Sequence, residues 1–104
     1  MEFVPMNTVS DRYYIYTDNE VVGVLEYVDY GDEIEIKYIK IHEEYRRMGI
    51  ATRVVNILKG KTKLITGDAL PEAVKFWESL HAEFSEPFPS KIRPEVLLTP
   101  FVIN

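Results

Sequence analysis

Residues 39–51 carry the side chains and spacing best suited to bind a phosphate. A predicted strand ends here in a polar turn with Arg46 and Arg47, and a helix follows with Gly49 and Ala51 at its start. The first backbone N–H groups of a helix have no partner within the helix, so they bind anions well. Small residues at this point let phosphate oxygens approach the backbone closely. The stretch lacks both the Gly-Lys-Ser/Thr of a P-loop and the glycines of a dinucleotide-binding fingerprint.

Other kinds of chemistry are poorly represented. The chain has no cysteine, which excludes a disulfide framework, a thiolate metal site and a cysteine nucleophile. Its two histidines, His42 and His81, offer little for zinc, and we predict no metal site. A pairing with the following glutamates explains His42, and a helix end explains His81. A role in proton transfer is the alternative for each.

Charge is divided unevenly along the chain, whose formal net charge is −5. Residues 1–44 hold 11 acidic and three basic residues, whereas residues 45–104 hold six acidic and nine basic ones. This division suits an anionic cofactor beside a cationic substrate, although an ordinary solvated surface explains it equally well. An acidic protein is a poor general binder of nucleic acid, and we predict no nucleic-acid partner.

The length of 104 residues predicts one domain, residues 1–104, and 46% hydrophobic residues are enough for an ordinary core. No apolar run approaches the roughly 18–20 residues of a membrane-spanning helix. The segment Met1–Pro5 has no basic region followed by an apolar one, as a signal peptide would have. We therefore expect a soluble, cytoplasmic protein with no membrane partner.

Three strands are predicted in the first half. Residues 12–17 and 20–28 are rich in β-branched and aromatic residues, and Asp18-Asn19 between them fits a two-residue hairpin turn. A turn at Gly31-Asp32 leads into residues 33–41, which alternate in polarity. That alternation places Ile34, Ile36 and Tyr38 on one face and Glu33, Glu35 and Lys37 on the other. Together these strands predict an antiparallel meander.

The second half changes to helical spacing. The first helix begins at Gly49 and ends at Gly60, and a short strand over residues 63–66 is closed by a Gly67-Asp68 turn. Pro71 suits the first turn of a second helix, whose apolar stripe is Ala73, Phe76, Trp77 and Leu80.

A last strand is predicted over residues 95–103, limited by Pro100 to an edge or a bulge, and a further strand fits near residues 82–84. The fold class is α+β or α/β: a mixed sheet in which the meander is followed by β-α-β-α-β, with the helices packed on the sheet. Strands 33–41 and 63–66 should be parallel and joined by a right-handed crossover.

The segment Arg46-Arg47-Met48-Gly49-Ile50-Ala51 resembles the Arg/Gln-x-x-Gly-x-Gly/Ala signature of the GNAT superfamily of N-acetyltransferases, and Tyr45 matches the residue usually found before it. Residues 73–80, Ala-Val-Lys-Phe-Trp-Glu-Ser-Leu, are similar to the second helix of that family and lie at the right distance downstream. The resemblance covers roughly residues 12–104. It implies the GNAT fold.

The resemblance also implies acetyl-CoA as co-substrate. Backbone N–H groups of residues 47–51 would hold the pyrophosphate, and the backbone of Ile39 and Ile41 would pair with the pantetheine arm. The arginine side chains would add contacts to phosphates or would simply be solvated. Phe76 and Trp77 would form a wall of the pocket. The expected cofactor-binding residues are Ile39, Ile41, Arg46, Arg47, Met48, Gly49, Ile50 and Ala51.

The catalytic residues implied by the resemblance are less regular. Some relatives place a glutamate base eleven residues before the first signature residue, which is Glu35 here. It would take a proton from the acceptor amine, or it merely faces water in the sheet. The family's frequent tyrosine on the second helix is replaced by Trp77, whose indole cannot release a proton at neutral pH. Tyr38, Tyr45, a water or the amine's own proton would then protonate the departing thiolate.

Two further departures bear on function. A frequent asparagine before the second helix is Leu70 here, and residues 17–20 leave no space for the two helices that the family usually carries between its first two strands. The acceptor side should therefore be open, or completed by a second subunit as in a homodimer. We predict an N-acetyltransferase that acts on a protein amine, a polyamine or another cationic amine by direct attack. The alternatives are a non-catalytic CoA-binding module and a protein-interaction module that has lost the cofactor site.

Overall fold

The computed structural model describes all 104 residues, Met1–Asn104, and forms one mixed sheet with two helices on one of its faces. The strands are β1 (Glu2–Pro5), β2 (Arg12–Thr17), β3 (Glu20–Asp29), β4 (Glu33–Ile41), β5 (Leu64–Ala69), β6 (Glu83–Phe84), β7 (Phe88–Pro89) and β8 (Leu97–Ile103), and the helices are α1 (Ile50–Lys59) and α2 (Val74–Ser79). The strand order is β1-β2-β3-β4-β5-β8-β6, with β7 beside β8. Only β4 and β5 pair in parallel. The predicted meander and the parallel pair are therefore confirmed.

Helix α1 forms because its apolar residues recur at helical spacing. Ile50, Val54, Val55 and Leu58 are all buried, and they belong to one cluster with the buried side chains of the sheet. Trp77 joins the same cluster from α2. Each such side chain contributes about 1.5–3 kcal/mol on burial. The core therefore lies between the sheet and one layer of helices.

Strand β4 contains a β-bulge at Lys37. Ile36 pairs with Tyr27 and Tyr38 pairs with Glu26, so that β4 has one residue more than β3 between these pairs. An extra residue reverses the alternation of faces in the rest of the strand. The prediction that Tyr38 shares a face with Ile36 is therefore wrong: Ile36 is buried in the core and Tyr38 lies 41% exposed on the other face.

The pairing between β4 and β5 ends early. Residues Glu33–Ile36 of β4 pair with Leu64–Gly67 of β5, and no pair follows Ile36–Gly67 although both strands continue. The bulge at Lys37 comes directly after this last pair. The two strands therefore part in the middle of the sheet.

Three further differences from the predictions concern β5, β8 and β1. Gly67-Asp68 is not a turn, because β5 continues through both residues to Ala69. Strand β8 is interior, between β5 and the short β6 and β7, and Pro100 lies where its partner changes from one to the other. Because Pro100 lies between these two short pairings, its missing N–H interrupts neither of them. Strand β1 pairs with β2 at the edge and was not predicted.

The face of the sheet opposite the helices, here the bare face, carries no buried residue. Its side chains include Tyr14, Val24, Glu26, Glu35, Tyr38, Lys40, Thr66, Asp68 and Val102. Strands β2 and β3 are joined only by the predicted turn, in which Asp18 and Asn19 have φ of 53° and 67°. Such left-handed pairs are typical of tight hairpin turns. No helix separates these strands, as the sequence predicts.

Candidate functional site

A cavity of about 230 Å³, the loop cavity, opens between the end of β4, the loop before α1 and the start of α1. Arg47 and Gly49, which both line this cavity, have left-handed φ values of 66° and 73°. A Cβ atom at Gly49 would meet no atom within 4 Å and would project into open space. Its lining residues are Ile41, Tyr45, Arg46, Arg47, Gly49, Ile50, Ala51, Thr52 and Phe76.

The start of α1 supplies donors to the loop cavity. The first bond along the helix runs from the N–H of Arg53 to the carbonyl of Gly49, so that the N–H groups of Ile50, Ala51 and Thr52 have no partner in the helix. No side chain caps this end. Three free donors and the helix dipole favour an anion here.

Two side-chain hydrogen bonds hold the loop in place. Arg46 Nε donates to the carbonyl of Ile41 over 2.9 Å, which ties the loop to the end of β4. Tyr45 Oη donates to a carboxylate oxygen of Glu20 over 2.6 Å, which ties it to the start of β3. This hydrogen bond is the main reason that the pKa of Tyr45 is raised, so the hydroxyl remains a donor at neutral pH. The Nε donor of Arg46 is thus already paired with the backbone of β4 and is not available to a ligand.

The space where β4 and β5 part, here the strand gap, is a second cavity of about 110 Å³. Its lining residues are Ile36, Lys37, Tyr38, Ile39, Asp68, Leu70, Ala73, Trp77 and Phe101. The N–H of His42 donates to Val22 in β3, so strand alternation turns the backbone groups of Ile39 and Ile41 away from β3. Ile39 lines the gap, whereas Ile41 lines the loop cavity and its carbonyl already accepts from Arg46. An extended ligand arm in the gap could therefore hydrogen-bond to the backbone groups of Ile39 as an added strand would.

Trp77 forms a wall of the strand gap and is only 4% exposed. Its ring stacks on Phe101 at 4.1 Å between centroids and meets the edge of Phe76 at 4.9 Å. An aromatic cluster of this kind fixes the gap's inner surface, because each ring limits the rotation of the next. Its packing is that of a core residue.

A third cavity of about 340 Å³, the outer cavity, lies on the bare face. Its lining residues are Glu35, Ile36, Lys37, Asp68, Leu70 and Leu98, four of which also line the strand gap. Lining residues of the gap belong to both faces of the sheet, with Trp77 on the helix side and Asp68 on the bare side. The gap therefore connects the helix side of the sheet to the bare face.

Two carboxylates line the outer cavity in different surroundings. Glu35 Oε1 accepts a hydrogen bond from the Tyr30 hydroxyl over 3.2 Å and lies 4.0 Å from Lys37 Nζ. Asp68 makes no hydrogen bond or ion pair. Asp68 is exposed, but the protein beside it removes part of its hydration, which raises its pKa above the ordinary value. The charge of Glu35 raises the pKa further, and Lys37 lowers it. Asp68 is thus the carboxylate whose anion is less well stabilised.

The structure brings most of the predicted cofactor-binding residues together around the loop cavity and the strand gap. Met48 is the exception, since its side chain is 65% exposed and lines neither space. Of the predicted catalytic residues, Tyr38 lines the strand gap and Glu35 lines the outer cavity. Phe76 and Trp77 lie in the walls of adjoining cavities.

The sequence interpretation missed Asp68, because Gly-Asp is a frequent turn pair. One signal could have found it: Ile65, Gly67 and Ala69 alternate with polar residues, which is typical of a strand that continues past Thr66. His42 uses its backbone to pair with β3, and His81 follows the C-cap of α2 with a φ of 64°. Neither histidine lines a cavity described here.

Comparison with known families now decides the identity of the fold. The family model described as the acetyltransferase (GNAT) family matches residues 6–82, which is most of the chain. The chain belongs to the GNAT family of acetyltransferases. No protein of curated function matches the sequence.

Solved structures of acetyltransferases share the fold. An aminoglycoside 6′-N-acetyltransferase complexed with coenzyme A matches 90% of this chain and 73% of its own, with a TM-score of 0.73 and 14% identity. The Bacillus subtilis N-acetyltransferase YlbP in complex with coenzyme A matches 91% and 68%, with a TM-score of 0.68 and 14% identity. Arabidopsis thaliana Naa50 in complex with the bisubstrate analogue CoA-Ac-MVNAL matches 89% and 72%, with a TM-score of 0.67 and 16% identity.

The residues of this GNAT acetyltransferase fit coenzyme A. The loop cavity offers free N–H groups at the start of α1, and the open space at Gly49 leaves room for a phosphate against the backbone. The strand gap lies beside that cavity, because Trp77 in the wall of the gap meets Phe76 in the wall of the loop cavity. The backbone of Ile39 is turned towards the gap. No group of three or more metal-ligating side chains occurs, and neither helix is long and apolar enough to cross a membrane.

Proposed function

We propose that this GNAT acetyltransferase transfers the acetyl group of acetyl-CoA to a primary amine carried by a cationic molecule. The observation that carries this proposal is the strand gap, which opens through the sheet between the loop cavity and the two carboxylates of the outer cavity. A donor held on the helix side and an acceptor on the bare face would meet in that gap.

The donor side is built from backbone groups. N–H groups of Ile50, Ala51 and Thr52 bind the pyrophosphate, and Arg47 adds a charge beside them. The backbone of Ile39 orients the pantetheine arm along β4, so that the thioester lies next to the bulge at Lys37. The bound group supplies an activated acetyl carbon. Catalysis then comes mainly from positioning the two reactants and from backbone N–H groups of β4 near the carbonyl oxygen.

The acceptor side is acidic and uncovered. Neighbouring strands of the bare face carry three carboxylates, Glu33, Glu35 and Asp68, and Lys37 is the positively charged side chain nearest to them. A cationic amine is attracted to such a site, and the absence of a helix over this face leaves room for a bulky acceptor such as a protein amine or a polyamine. Neutralising Glu33 and Glu35 together should weaken acceptor binding, and unchanged binding would exclude this acceptor class.

Direct attack by the amine requires no covalent enzyme intermediate. Tyr38 lines the gap, 41% exposed, and Tyr45 keeps its proton at neutral pH. Either hydroxyl, a water or the second proton of the attacking amine could therefore protonate the leaving thiolate. The expected compartment is the cytoplasm. A second copy that covers the bare face is one way in which the acceptor side would be completed, and it predicts a homodimer in solution.

A second candidate function is non-catalytic binding of CoA, which the burial of Trp77 favours. This residue stands where many relatives have a tyrosine, and its stacking on Phe101 leaves α2 with no titratable group in the gap. A protein-interaction module without a cofactor site is the third possibility, and the fit of the loop cavity to a phosphate weighs against it.

Thermal unfolding with and without acetyl-CoA tests the donor site. Ligand at about 100 times its dissociation constant stabilises a fold by about 2.7 kcal/mol. For a domain of this size the melting temperature should rise by roughly 10 °C or more. The Gly49→Glu variant should lose that rise, whereas a rise retained in Gly49→Glu would exclude the loop cavity as the site.

Release of free thiol across a panel of amines separates the enzyme from the binder. The enzyme should release one CoA thiol for each acetylated amine, with cationic amines preferred over neutral ones of the same size. A protein that binds acetyl-CoA but releases no thiol with peptides, lysine or polyamines would be the non-catalytic binder. No thermal shift at millimolar acetyl-CoA would favour the interaction module.

A further inference from the structure

The outer cavity holds two carboxylates, and the structure gives them different positions relative to the strand gap. Asp68 lines both the gap and the outer cavity, whereas Glu35 lines only the outer cavity. Asp68 also directly follows Gly67, the last residue of β5 that pairs with β4. Its side chain therefore stands at the point where the gap opens onto the bare face.

The partners of the two carboxylates differ as well. The Tyr30 hydroxyl and Lys37 Nζ both approach Glu35 Oε1, at 3.2 and 4.0 Å. No protein donor approaches Asp68 within hydrogen-bonding distance, so its oxygens have lone pairs available for a ligand. Glu35 is held in place by neighbours, and Asp68 is not.

The charges around Asp68 come mainly from β4. Glu35 and Lys37 face it, and Tyr38 lines the same gap. On the other side, β8 places Pro100 opposite Asp68, and its neighbours Thr99 and Phe101 add no charge. Asp68 is exposed, and partial loss of hydration together with the charge of Glu35 raises its pKa, which strengthens this carboxylate as a base. Lys37 opposes this effect without removing it.

We propose that Asp68 accepts the proton that the acceptor amine loses, and that Glu35 binds the cationic acceptor without taking its proton. This inference rests on the proposed acetyl transfer. The ammonium form of the acceptor gives one proton to the Asp68 carboxylate, and the freed lone pair of nitrogen forms the new bond to the thioester carbonyl carbon. The C–S bond breaks, and its electron pair leaves with sulfur. The second nitrogen proton neutralises the thiolate, and Asp68 returns its proton to water.

Kinetics of Asp68→Asn and Glu35→Gln test this division. Asp68→Asn should lower kcat by about 10²–10⁴-fold, the usual contribution of a general base, and should abolish the acidic limb of the profile of kcat/KM against pH. Glu35→Gln should mainly raise the KM for the amine and should keep that limb. Asp68→Glu should restore part of kcat. Glu83→Gln, which removes an exposed carboxylate from β6 on the same face, is the control and should change neither parameter.

A second readout does not depend on turnover. Titration of the Asp68 carboxyl carbon by NMR should give a pKa above the ordinary aspartate value, and Glu35→Gln should lower it. The sole tryptophan, Trp77, should report acetyl-CoA binding within twofold of wild type in Asp68→Asn.

The outcomes are distinct. Loss of the acidic limb in Glu35→Gln with its retention in Asp68→Asn would assign the proton to Glu35 and overturn the inference. A carboxyl pKa of Asp68 at or below the ordinary value would do the same. A wild-type protein that binds acetyl-CoA and acetylates no amine would instead overturn the proposed function.

Discussion

Ile36 and Gly67 form the last residue pair between β4 and β5, and the strand gap opens where this pairing stops. A parallel pair that continued would close the sheet and leave no gap. Here Lys37 adds one residue to β4 immediately after the pair, and Asp68 is the first residue of β5 without a partner in β4. The opening through the sheet is thus built into the register of two strands.

Gly67 has no space for a larger side chain. A Cβ atom there would lie 2.7 Å from the ring of Phe101 and 2.8 Å from the carbonyl oxygen of Ile36. We expect Gly67→Ala to lower the free energy of unfolding by about 1–3 kcal/mol, because the ring and the last β4–β5 pair must both shift. Urea unfolding measures this change. Gly60→Ala is the control, because Gly60 has an αR backbone and its added Cβ would lie 3.3 Å from the nearest atom, the carbonyl oxygen of Ile57. Equal stability of the two variants would contradict the prediction.

Gly49 is needed for two reasons, only one of which concerns folding. Its φ of 73° disfavours any side chain, and a Cβ would enter the open space of the loop cavity. We expect Gly49→Ala to lose about 1 kcal/mol of stability and, in addition, to weaken acetyl-CoA binding measured by calorimetry.

Gly31 provides the matched control for this substitution. It has a φ of 95°, its Cβ would also meet nothing within 4 Å, and it lies in the turn before β4, at the opposite end of that strand. Gly31→Ala should lose similar stability and keep its affinity for acetyl-CoA. Equal loss of affinity in both variants would mean that backbone strain, and not occupation of the cavity, explains the effect.

The single tryptophan reports on the strand gap. Trp77 is 4% exposed and lines that gap, so its fluorescence should be typical of a buried indole and should change when acetyl-CoA binds. Titration with acetyl-CoA should give a saturable change, and titration with adenosine 3′,5′-bisphosphate, which lacks the pantetheine arm, should give a much smaller one. Identical responses to both would show that no part of the ligand enters the gap.

Tyr27 should make the protein sensitive to alkali. Burial, followed by the charge of the neighbouring Tyr13 phenolate, raises the pKa of Tyr27 to about 12. The two rings stack with their centroids 4.9 Å apart. Because the folded pKa exceeds the unfolded value of 10.0, the stabilisation is complete below pH 10 and is lost as the pH rises towards 12. A pKa difference of two between the folded and unfolded states corresponds to at most about 2.7 kcal/mol in the free energy of unfolding.

Urea unfolding between pH 8 and 12 measures this loss. Tyr27→Phe should retain more stability than the wild type at the alkaline end, relative to their difference at neutral pH. Tyr14→Phe, at a tyrosine 40% exposed on the bare face, is the control and should follow the wild type. A parallel decline of all three proteins would exclude Tyr27 as the cause.

The sequence predicts the elements of this fold well where a local pattern determines them. The spacing of Ile50, Val54 and Leu58 is sufficient for α1, and Asp18-Asn19 is sufficient for the turn between β2 and β3. The start of α1 could be predicted for the same reason, because its glycine, its arginines and its free N–H groups are contiguous in the chain.

The outer cavity could not be predicted in this way, because it depends on where two strands stop pairing. Isoleucines occupy even positions at 34 and 36 and odd positions at 39 and 41, a change of parity that indicates an extra residue between them. That signal is present in the sequence, but it does not say which residue bulges. The position of Asp68 at the gap is visible only in the structure, where Gly67 pairs with Ile36 of β4 and Asp68 has no pairing residue in β4.

Strands β1 and β2 supply no lining residue to the loop cavity, the strand gap or the outer cavity. The lining of the loop cavity and the strand gap therefore comes from one continuous stretch of the chain, residues 36–77, and from Phe101. The first two strands contribute Ile15 to the core, and their opposite side is bare-face surface. Substitutions on that surface are separable from donor handling. Substitution of its exposed tyrosines and valines, or insertion of a segment at Asp18-Asn19, can accordingly change which molecules bind this surface. Neither change alters the residues that line the proposed acetyl-CoA site.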